Sequence, residues 1–545
     1  MSIDKLNSGI VSFLKREYLL ILAVVAGCFL RLYTITDQII ADDEWHGIHA
    51  IFTFSYRHIF SHFGFCDYCI PLTAYYKFMA ENFFLSEMVV RTPVLFFGII
   101  SLVVFPLVVR NLINRRVGNI FALFLAISPI HIFYSRYARP YVIVVFFSFL
   151  GLIAFYKWLH GGRDKRWLWT YIVCAIIGPY FHLTVLPVLL APLCILVGDK
   201  LIYRNDIPVK EIIKLFFIVL AGQGILLSLP VVVGMSDLSG KLGHDRVSLN
   251  TIYETFKLFI GVYNYRMLYI ALMLIIAGIL SIFKIPKKFL LYLSILFVLQ
   301  VVFSVFSNSS CISIPMVLAR YCLSLQPFFI LLLSAGLVAF YGFIENITKS
   351  RGGPYMLSFA VFALFVFFNP LKNIYYFPNN WTNHPKFQAY YDGTNPEYSL
   401  HPEKVSKFYY DLASFPKGSI TILEVPWYYE WSYNTKYTNY QRIHGQYVMI
   451  GFVGALFKWT RSGELPVLKK LIAFRHFYHV SMYKSLPSKV KYVVFHKDLK
   501  NEIGYPVEYV DVTPWIKTYT DLFGKPVYED SMIIVFDVLR DKFKL

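Results

Sequence analysis

The sequence predicts a polytopic α-helical membrane protein of about 11 spans with an α/β domain at its C-terminal end. Three observations predict it. Of 545 residues, 57% are hydrophobic, well above the share in an ordinary soluble chain. Apolar runs repeatedly reach the roughly 20 residues that cross a bilayer. Beyond Asn369-Pro370 those runs stop, and turn clusters alternate with short helix-like and strand-like segments.

The spans are centred near Val25, Ser101, Leu125, Phe147, Ile176, Leu190, Val219, Met273, Leu296, Leu332 and Leu364. The first follows a basic segment with no small-residue cleavage site before the acidic loop, so it reads as a retained helix. In the loop that follows, 37–86, the aromatic and apolar spacing of Trp45 to Phe60 suits a helix lying in the interface. The third span runs from about Gly118 to Tyr134. Two more loops on the same side are 235–265, with Lys241, His244, Asp245 and Arg246, and 307–320, leading into Ala319-Arg320-Tyr321. The boundary between membrane region and tail is placed between residues 370 and 371. Turn clusters there include Pro378-Asn379-Asn380 and Asp392 to Pro396; 403–415 and 464–474 read as helices, and 419–425, 491–496 and 531–538 as strands. No internal repeat or low-complexity stretch is present.

The formal net charge is +19. Lys15-Arg16, Arg110, Arg115-Arg116, Arg163, Lys165-Arg166, Lys200, Arg204, Lys210, Lys284, Lys287-Lys288, Lys349 and Arg351 all fall on one face of the predicted topology. The positive-inside rule makes that face cytoplasmic together with the N-terminus, and an odd number of spans puts the tail on the other side. Most of the positive charge is therefore topological, and it argues against a nucleic-acid-binding class. A transporter predicts ionisable groups near mid-span, whereas the charges here gather at helix ends. Of seven cysteines, Cys28, Cys174, Cys194 and Cys322 fall in or beside spans, where buried thiols are ordinary, while Cys66 and Cys69 lie where disulfides persist.

Three sets of residues carry candidate chemistry. Arg136 and Arg139 sit where the third span ends, three apart and followed by Pro140, which suits a helix restart. Such a pair suits an anion, and snorkelling at the membrane surface is the alternative. Arg320, at the mouth of a distant span, offers another guanidinium. Asp42-Asp43-Glu44 follow the first span; these acids either hydrate a loop or accept a proton from a nucleophile. His58, His62, Cys66 and Cys69 have the spacing H-x3-H-x3-C-x2-C, for which a zinc site, a disulfide and plain thiols all stay open. His182 lies in a turn between spans, satisfied by backbone or touching a ligand. Trp427 to Tyr433, with Tyr437 and Tyr440, forms an aromatic strip that suits sugar stacking, a core or a surface against the membrane.

Cys69-Ile70-Pro71-Leu72, Ser86 to Gly98, Arg115-Arg116-Val117-Gly118, Ser128-Pro129 through Arg139-Pro140-Tyr141, and Tyr180-Phe181-His182 together resemble the bacterial polyprenyl-phosphate-sugar glycosyltransferases of the GT-C fold. That group includes the aminoarabinose transferases and protein O-mannosyltransferases. The resemblance covers about the first third of the chain, then thins to Leu318-Ala319-Arg320-Tyr321, Pro327 and His444-Gly445. It implies transfer of one sugar from a polyprenyl phosphate to a lipid, glycan or protein acceptor, with inversion, on the outer face of a bacterial inner membrane, the tail being periplasmic. It implies Asp43 as base, Glu44 as its partner or a metal ligand, and Arg136, Arg139 and Arg320 on the leaving phosphate. Asp42, His46, Asp67, Tyr141, His182 and Tyr321 are the further substrate or metal contacts it suggests. No cofactor is required by these residues, although some members bind a divalent ion, for which Glu44, His46 or His182 would serve here. No Gly-rich phosphate loop points to a nucleotide sugar. Tyr137 departs from the pattern, since the family commonly has a carboxylate two residues before the second arginine. The alternatives are a lipid-linked glycan polymerase or ligase, and a lipid-linked sugar transporter or flippase.

Overall fold

The computed structural model describes residues 3–33, 44–63, 69–83, 87–187, 209–239, 245–262, 264–284, 287–306, 312–349, 352–371, 405–416, 419–425, 443–449, 490–497 and 513–538, with single positions 35, 192, 196, 374 and 440. The chain divides into two compact units, Met1–Tyr33 with Phe60–Leu72 and Arg91–Tyr376, and Thr34–Ile59 with Thr73–Val90 and Phe377–Leu545. Helices up to residue 371 are α1 (Ile3–Leu32), α2 (Glu44–Thr53), α3 (Tyr56–Ser61), α4 (Ile70–Asn82), α5 (Glu87–Leu112), α6 (Arg115–Ile127), α7 (Pro129–Ser135), α8 (Tyr141–His160), α9 (Lys165–Phe181), α10 (Val209–Ser239), α11 (Leu249–Ile260), α12 (Tyr265–Lys284), α13 (Lys287–Phe306), α14 (Pro315–Tyr321), α15 (Gln326–Thr348) and α16 (Gly352–Phe367).

The first unit is a membrane body. Among the described residues five helices are long and apolar enough to cross a bilayer, six if α6 and α7 form one bent span. Every predicted span centre except Leu190, which lies outside the described residues, falls within a described helix. Ile225 and Val232 on α10 are each 81% exposed, as suits side chains facing lipid rather than protein. α12 and α15 cross at Gly278 and Gly336, where a Cβ on either glycine would run into the other helix's backbone at Leu332 O or Leu274 O. Small residues let these backbones approach in a setting where packing, not water exclusion, holds helices together.

The third predicted span needs correction. It does not run unbroken from Gly118 to Tyr134: the chain bends by 63° between α6 and α7. Pro129 supplies no N–H to the helix and drives the preceding residue out of the helical region, and Ser128 accordingly has ψ 113. At the far end of α6, Asn114 caps the helix by accepting from Val117 N–H at 2.9 Å. There Glu17 of α1 binds Arg110 at 2.6 Å, Arg16 at 3.1 Å and Arg115 at 3.5 Å. Three cations of the predicted basic face thus share one end of the helical body. Arg31 lies about 21 Å further along α1, at the opposite end.

The second unit is described by itself. The segment expected to form one interfacial helix from Trp45 to Phe60 is two helices, α2 and α3, interrupted at 54–55. Lys77 of α4 is buried; it donates to Ile51 O at 3.1 Å and pairs with Glu81 at 2.9 Å. Burial and the neighbouring Glu81 carboxylate push the Tyr56 hydroxyl up to about 12. In the tail, β1 (Thr421–Val425), β2 (Tyr447–Met449), β3 (Val490–His496), β4 (Tyr528–Glu529) and β5 (Ile533–Asp537) form a sheet of order β2-β1-β3-β5-β4. β1 runs parallel to β2 and β3, and β5 returns antiparallel to β3. The three predicted strands therefore stand as β1, β3 and β5. The 403–415 helix is shorter, α17 (Lys407–Leu412), and α18 (Thr513–Phe523) packs Tyr519 against Phe495 at 4.9 Å. Ile422, Leu423, Val493, Val494 and Phe536 are wholly buried, which explains why these strands are mainly apolar rather than strictly alternating.

Candidate functional site

The break between α6 and α7 leaves carbonyls at the end of α6 that Arg31 satisfies, and Arg136 does the same for the end of α1. Arg31, in the last turn of α1 and fully buried, donates from Nη2 to Leu125 O at 3.3 Å and from Nη1 to Ala126 O at 3.4 Å and Gly27 O at 2.9 Å. Its Nε reaches Ser135 Oγ at 3.3 Å, and Nη2 also reaches His131 Nδ1 at 2.9 Å, which leaves the His131 proton on Nε2. Reciprocally, Arg136 at the C-terminal end of α7 donates from Nη1 to Arg31 O at 3.2 Å, Leu30 O at 3.4 Å and Tyr33 O at 2.5 Å, the end of α1. Helix C-termini present orphan carbonyls with negative partial charge, so a buried guanidinium is well matched to each. The exchange locks α1 to α7. Gly98 of α5 makes room, since a Cβ there would overlap Ser135.

The locked turn delivers Arg139 and Tyr141 to residues far away in sequence. The Arg139 guanidinium lies 5.9 Å from the Tyr141 ring centroid, and Arg320 of α14 lies 5.8 Å from the same centroid. Arg320 also sits 5.3 Å from the Tyr321 ring. His182, which ends α9, has its ring 5.5 Å from Tyr141 and 6.3 Å from Tyr321. Its Nδ1 accepts from Thr184 N–H at 3.3 Å, so the proton rests on Nε2. Arg139 is 3% exposed and Tyr141 1%. Two guanidinium groups gathered at one ring bring positive charge together in an apolar body, and the ring's π-system attracts each of them. Chemically, this arrangement suits a polyanionic headgroup reaching the ends of helices. Nearby, Cys69 is a buried free thiol. Burial pushes it up to about 12 despite the Leu72 N–H and the Arg139 charge, so it is protonated and a poor nucleophile at neutral pH.

No family model and no curated protein matches the chain. Among solved structures, the apo ArnT of Cupriavidus metallidurans is similar with TM-score 0.49 and 13% identity over 95% of this chain and 97% of that one. The same enzyme bound to undecaprenyl phosphate gives 0.49 and 11% over 96% and 99%. The Archaeoglobus fulgidus oligosaccharyltransferase with zinc and sulfate gives 0.40 and 12% over 88% and 68%. At these scores the likeness assigns no role to any residue of this chain.

Of the residues singled out in sequence, Arg139, Tyr141, His182, Arg320 and Tyr321 come together, and Arg136 stands beside them on the carbonyls of α1. Glu44 begins α2, a position whose helix dipole favours a carboxylate, and is 1% exposed. Asp42, Asp43, Cys66 and Asp67, the aromatic strip from Trp427 to Tyr433 with Tyr437, and the 464–474 helix lie outside the described residues, as do Lys241, His244 and the His46 side chain. Tyr137, where the resemblance would have a carboxylate, is buried and its ring lies 5.0 Å from Phe133. His58 stacks on Phe54 at 4.1 Å, and His62 Nδ1 lies 2.8 Å from Ser61 Oγ. Among the described residues no group of three or more His, Cys, Asp or Glu is placed to hold a metal. Sequence reasoning missed Arg31, Ser135, Thr184 and Gln300. For Arg31 and Gln300 the signal was there: a strongly polar side chain inside an apolar run.

Proposed function

We propose that the protein is a membrane glycosyltransferase that moves one monosaccharide from a polyprenyl phosphate to a lipid, glycan or protein acceptor. The observation that carries this reading is the placement of Arg139 and Arg320 on the Tyr141 ring, with His182 beside it, at helix ends of a lipid-facing body. A phosphate on a membrane-embedded chain is the anion that meets such a site by moving sideways between spans. In the transfer, the acceptor oxygen bonds to the anomeric carbon as the bond from that carbon to the phosphate oxygen breaks, inverting the centre. The acceptor proton passes to a carboxylate, assigned to Asp43 with Glu44 as its partner. The electron pair of the broken bond stays on the polyprenyl phosphate, where Arg139 and Arg320 stabilise the growing charge and Arg136, held on the α1 carbonyls, assists only through its positive field. The organisation that goes with this reading is a catalytic membrane region over 1–370, a tail domain over 371–545, a cytoplasmic N-terminus and a site on the outer face of a bacterial inner membrane.

The test supplies purified protein with labelled monosaccharyl polyprenyl phosphates and compares the parent with Asp43→Asn, Arg139→Ala and Arg320→Ala. Transfer by the parent, with loss of about a hundredfold or more in each variant, is the expected result. Parental rates in Asp43→Asn remove the base assignment, and parental affinity for the lipid phosphate in both arginine variants removes the clamp. Turnover only with a lipid-linked oligosaccharide would instead favour a glycan polymerase or ligase.

A further inference from the structure

Gln300 lies in the apolar run Ile295-Leu296-Phe297-Val298-Leu299-Gln300-Val301-Val302-Phe303 of α13 and is fully buried. An amide in such a place is costly unless its donors and acceptor are all met. Its Nε2 donates to Tyr321 O at 2.8 Å and Thr184 O at 3.5 Å, and its Oε1 accepts from Ser324 Oγ at 3.2 Å. The amide orientation is not arbitrary: two backbone carbonyls can only accept, so the NH2 end must face them. The two carbonyls belong to the turn that carries Arg320 and Tyr321 and to the turn that follows His182. The two turns also meet through the His182 and Tyr321 rings, 6.3 Å apart, so the amide adds directed hydrogen bonds to a ring contact.

We propose that Gln300 is a positioning residue that ties the Arg320–Tyr321 turn to the His182–Thr184 turn, so that Arg320 and His182 meet Tyr141 as a single phosphate-binding site. This rests on the phosphate reading of that site. Gln300 itself touches neither the Tyr141 ring nor either guanidinium through any of these bonds; it acts through the backbone of the residues that do. Ser324 fixes the amide's other end, so the two N–H donors point in one direction.

The experiment compares the full-length parent with Gln300→Met, which keeps chain length without polar atoms, Gln300→Glu, and Ser304→Ala as a control. Ser304 is also buried on α13, and its described contact is with a side chain, Cys322 Sγ at 3.2 Å, rather than with a backbone carbonyl. Amide hydrogen exchange is read over 182–185 and 320–325, and binding of farnesyl monophosphate is measured in the same detergent. Gln300→Met is expected to speed exchange in both segments together while α6 and α7 stay as in the parent, and to weaken farnesyl phosphate by about tenfold, the scale on which groups that orient a ligand act. Ser304→Ala leaves both readouts at parental values. Gln300→Glu donates one hydrogen bond when protonated and is repelled by both carbonyls when ionised, so its affinity falls as pH rises, recovering towards parental at low pH. Unchanged exchange in either segment, or parental affinity in Gln300→Met, overturns the proposal. So does a rise in exchange spread through the whole helical unit. If the parent itself does not bind farnesyl phosphate, the phosphate reading fails and the proposed role with it, whereas the exchange data report separately on the tether.

Discussion

Arginine at a membrane helix end has two physical uses, and the site shows both within one turn of chain. Arg136 and Arg31 direct guanidinium donors to carbonyls at helix ends, whereas Arg139 and Arg320 come to a shared aromatic ring. The sequence singled out Arg136 and Arg139 equally, because spacing and charge do not reveal which carbonyls a later element will bring near. This distinction predicts different failures. Arg139→Lys keeps the charge but loses the planar fork, and should weaken farnesyl phosphate binding by about tenfold with little change in thermal midpoint. Arg31→Met removes the donors to Leu125 O and Ala126 O, and at about 1–3 kcal/mol for each buried carbonyl left bare it should lower stability by about 3 kcal/mol. Thermal unfolding in detergent followed by circular dichroism reads the second effect, and equilibrium binding reads the first. An Arg31→Met protein as stable as the parent would show that the capping bonds contribute little.

At the level of elements, what was legible followed from burial. β1, β3 and β5 are covered so fully that their apolar runs need no alternation to be recognised, and the span centres are simply the middles of long apolar helices. Breaks were harder. Composition makes 118–134 one apolar stretch, and the bend arises from a single Pro129 together with the donors that Arg31 brings from another helix. Likewise nothing local in Ile275 to Leu280 or Leu332 to Leu337 announces that Gly278 and Gly336 face one another, because that depends on which helices cross. The crossing makes its own prediction. Gly336→Ala places a methyl against the α12 backbone rather than against a side chain that can turn aside, so it should cost about 2 kcal/mol or more. The same change at Gly342, where a Cβ meets nothing within 4 Å, should be neutral or slightly stabilising because alanine is the better helix former. Equal unfolding midpoints for the two variants would remove the close crossing as a source of stability.

The molecule as a whole combines a helical unit whose buried polar groups are mostly hydroxyls, with Arg31, Arg91, Arg136 and Arg139 among them, and a sheet unit that buries the titratable Glu424, His444 and His496. In the latter, Glu424 of β1 lies 2.7 Å from His496 of β3, and Tyr409 donates to the same carboxylate at 3.0 Å. His444 stacks on Tyr409 at 5.7 Å, and its Nδ1 accepts from Gln446 N–H at 2.9 Å. Burial depresses His444 from 6.5 to about 3, so between those values the unfolded chain binds the proton that the folded sheet does not. The stability contributed by keeping this ring neutral is therefore complete above pH 6.5 and declines as pH falls towards about 3. Asp530 responds lower on the scale. Burial opposes its ionisation, but donors from Ser406 Oγ at 2.6 Å and from the Ile533 and Met532 N–H groups, each at 2.8 Å, outweigh that and hold it below 3.8. Its share persists above 3.8 and is lost as pH falls through the lowered value. Hydrogen exchange of the full-length protein between pH 7 and pH 4, corrected for the intrinsic chemical rate, should thus show protection falling in 419–425, 490–497 and 533–537 before it falls in α8 and α15. His444→Asn, whose side-chain oxygen can replace Nδ1 as acceptor for Gln446, should flatten that acid dependence without lowering protection at pH 7 to the same extent. A parental slope in His444→Asn would place the acid sensitivity in another group of the sheet unit.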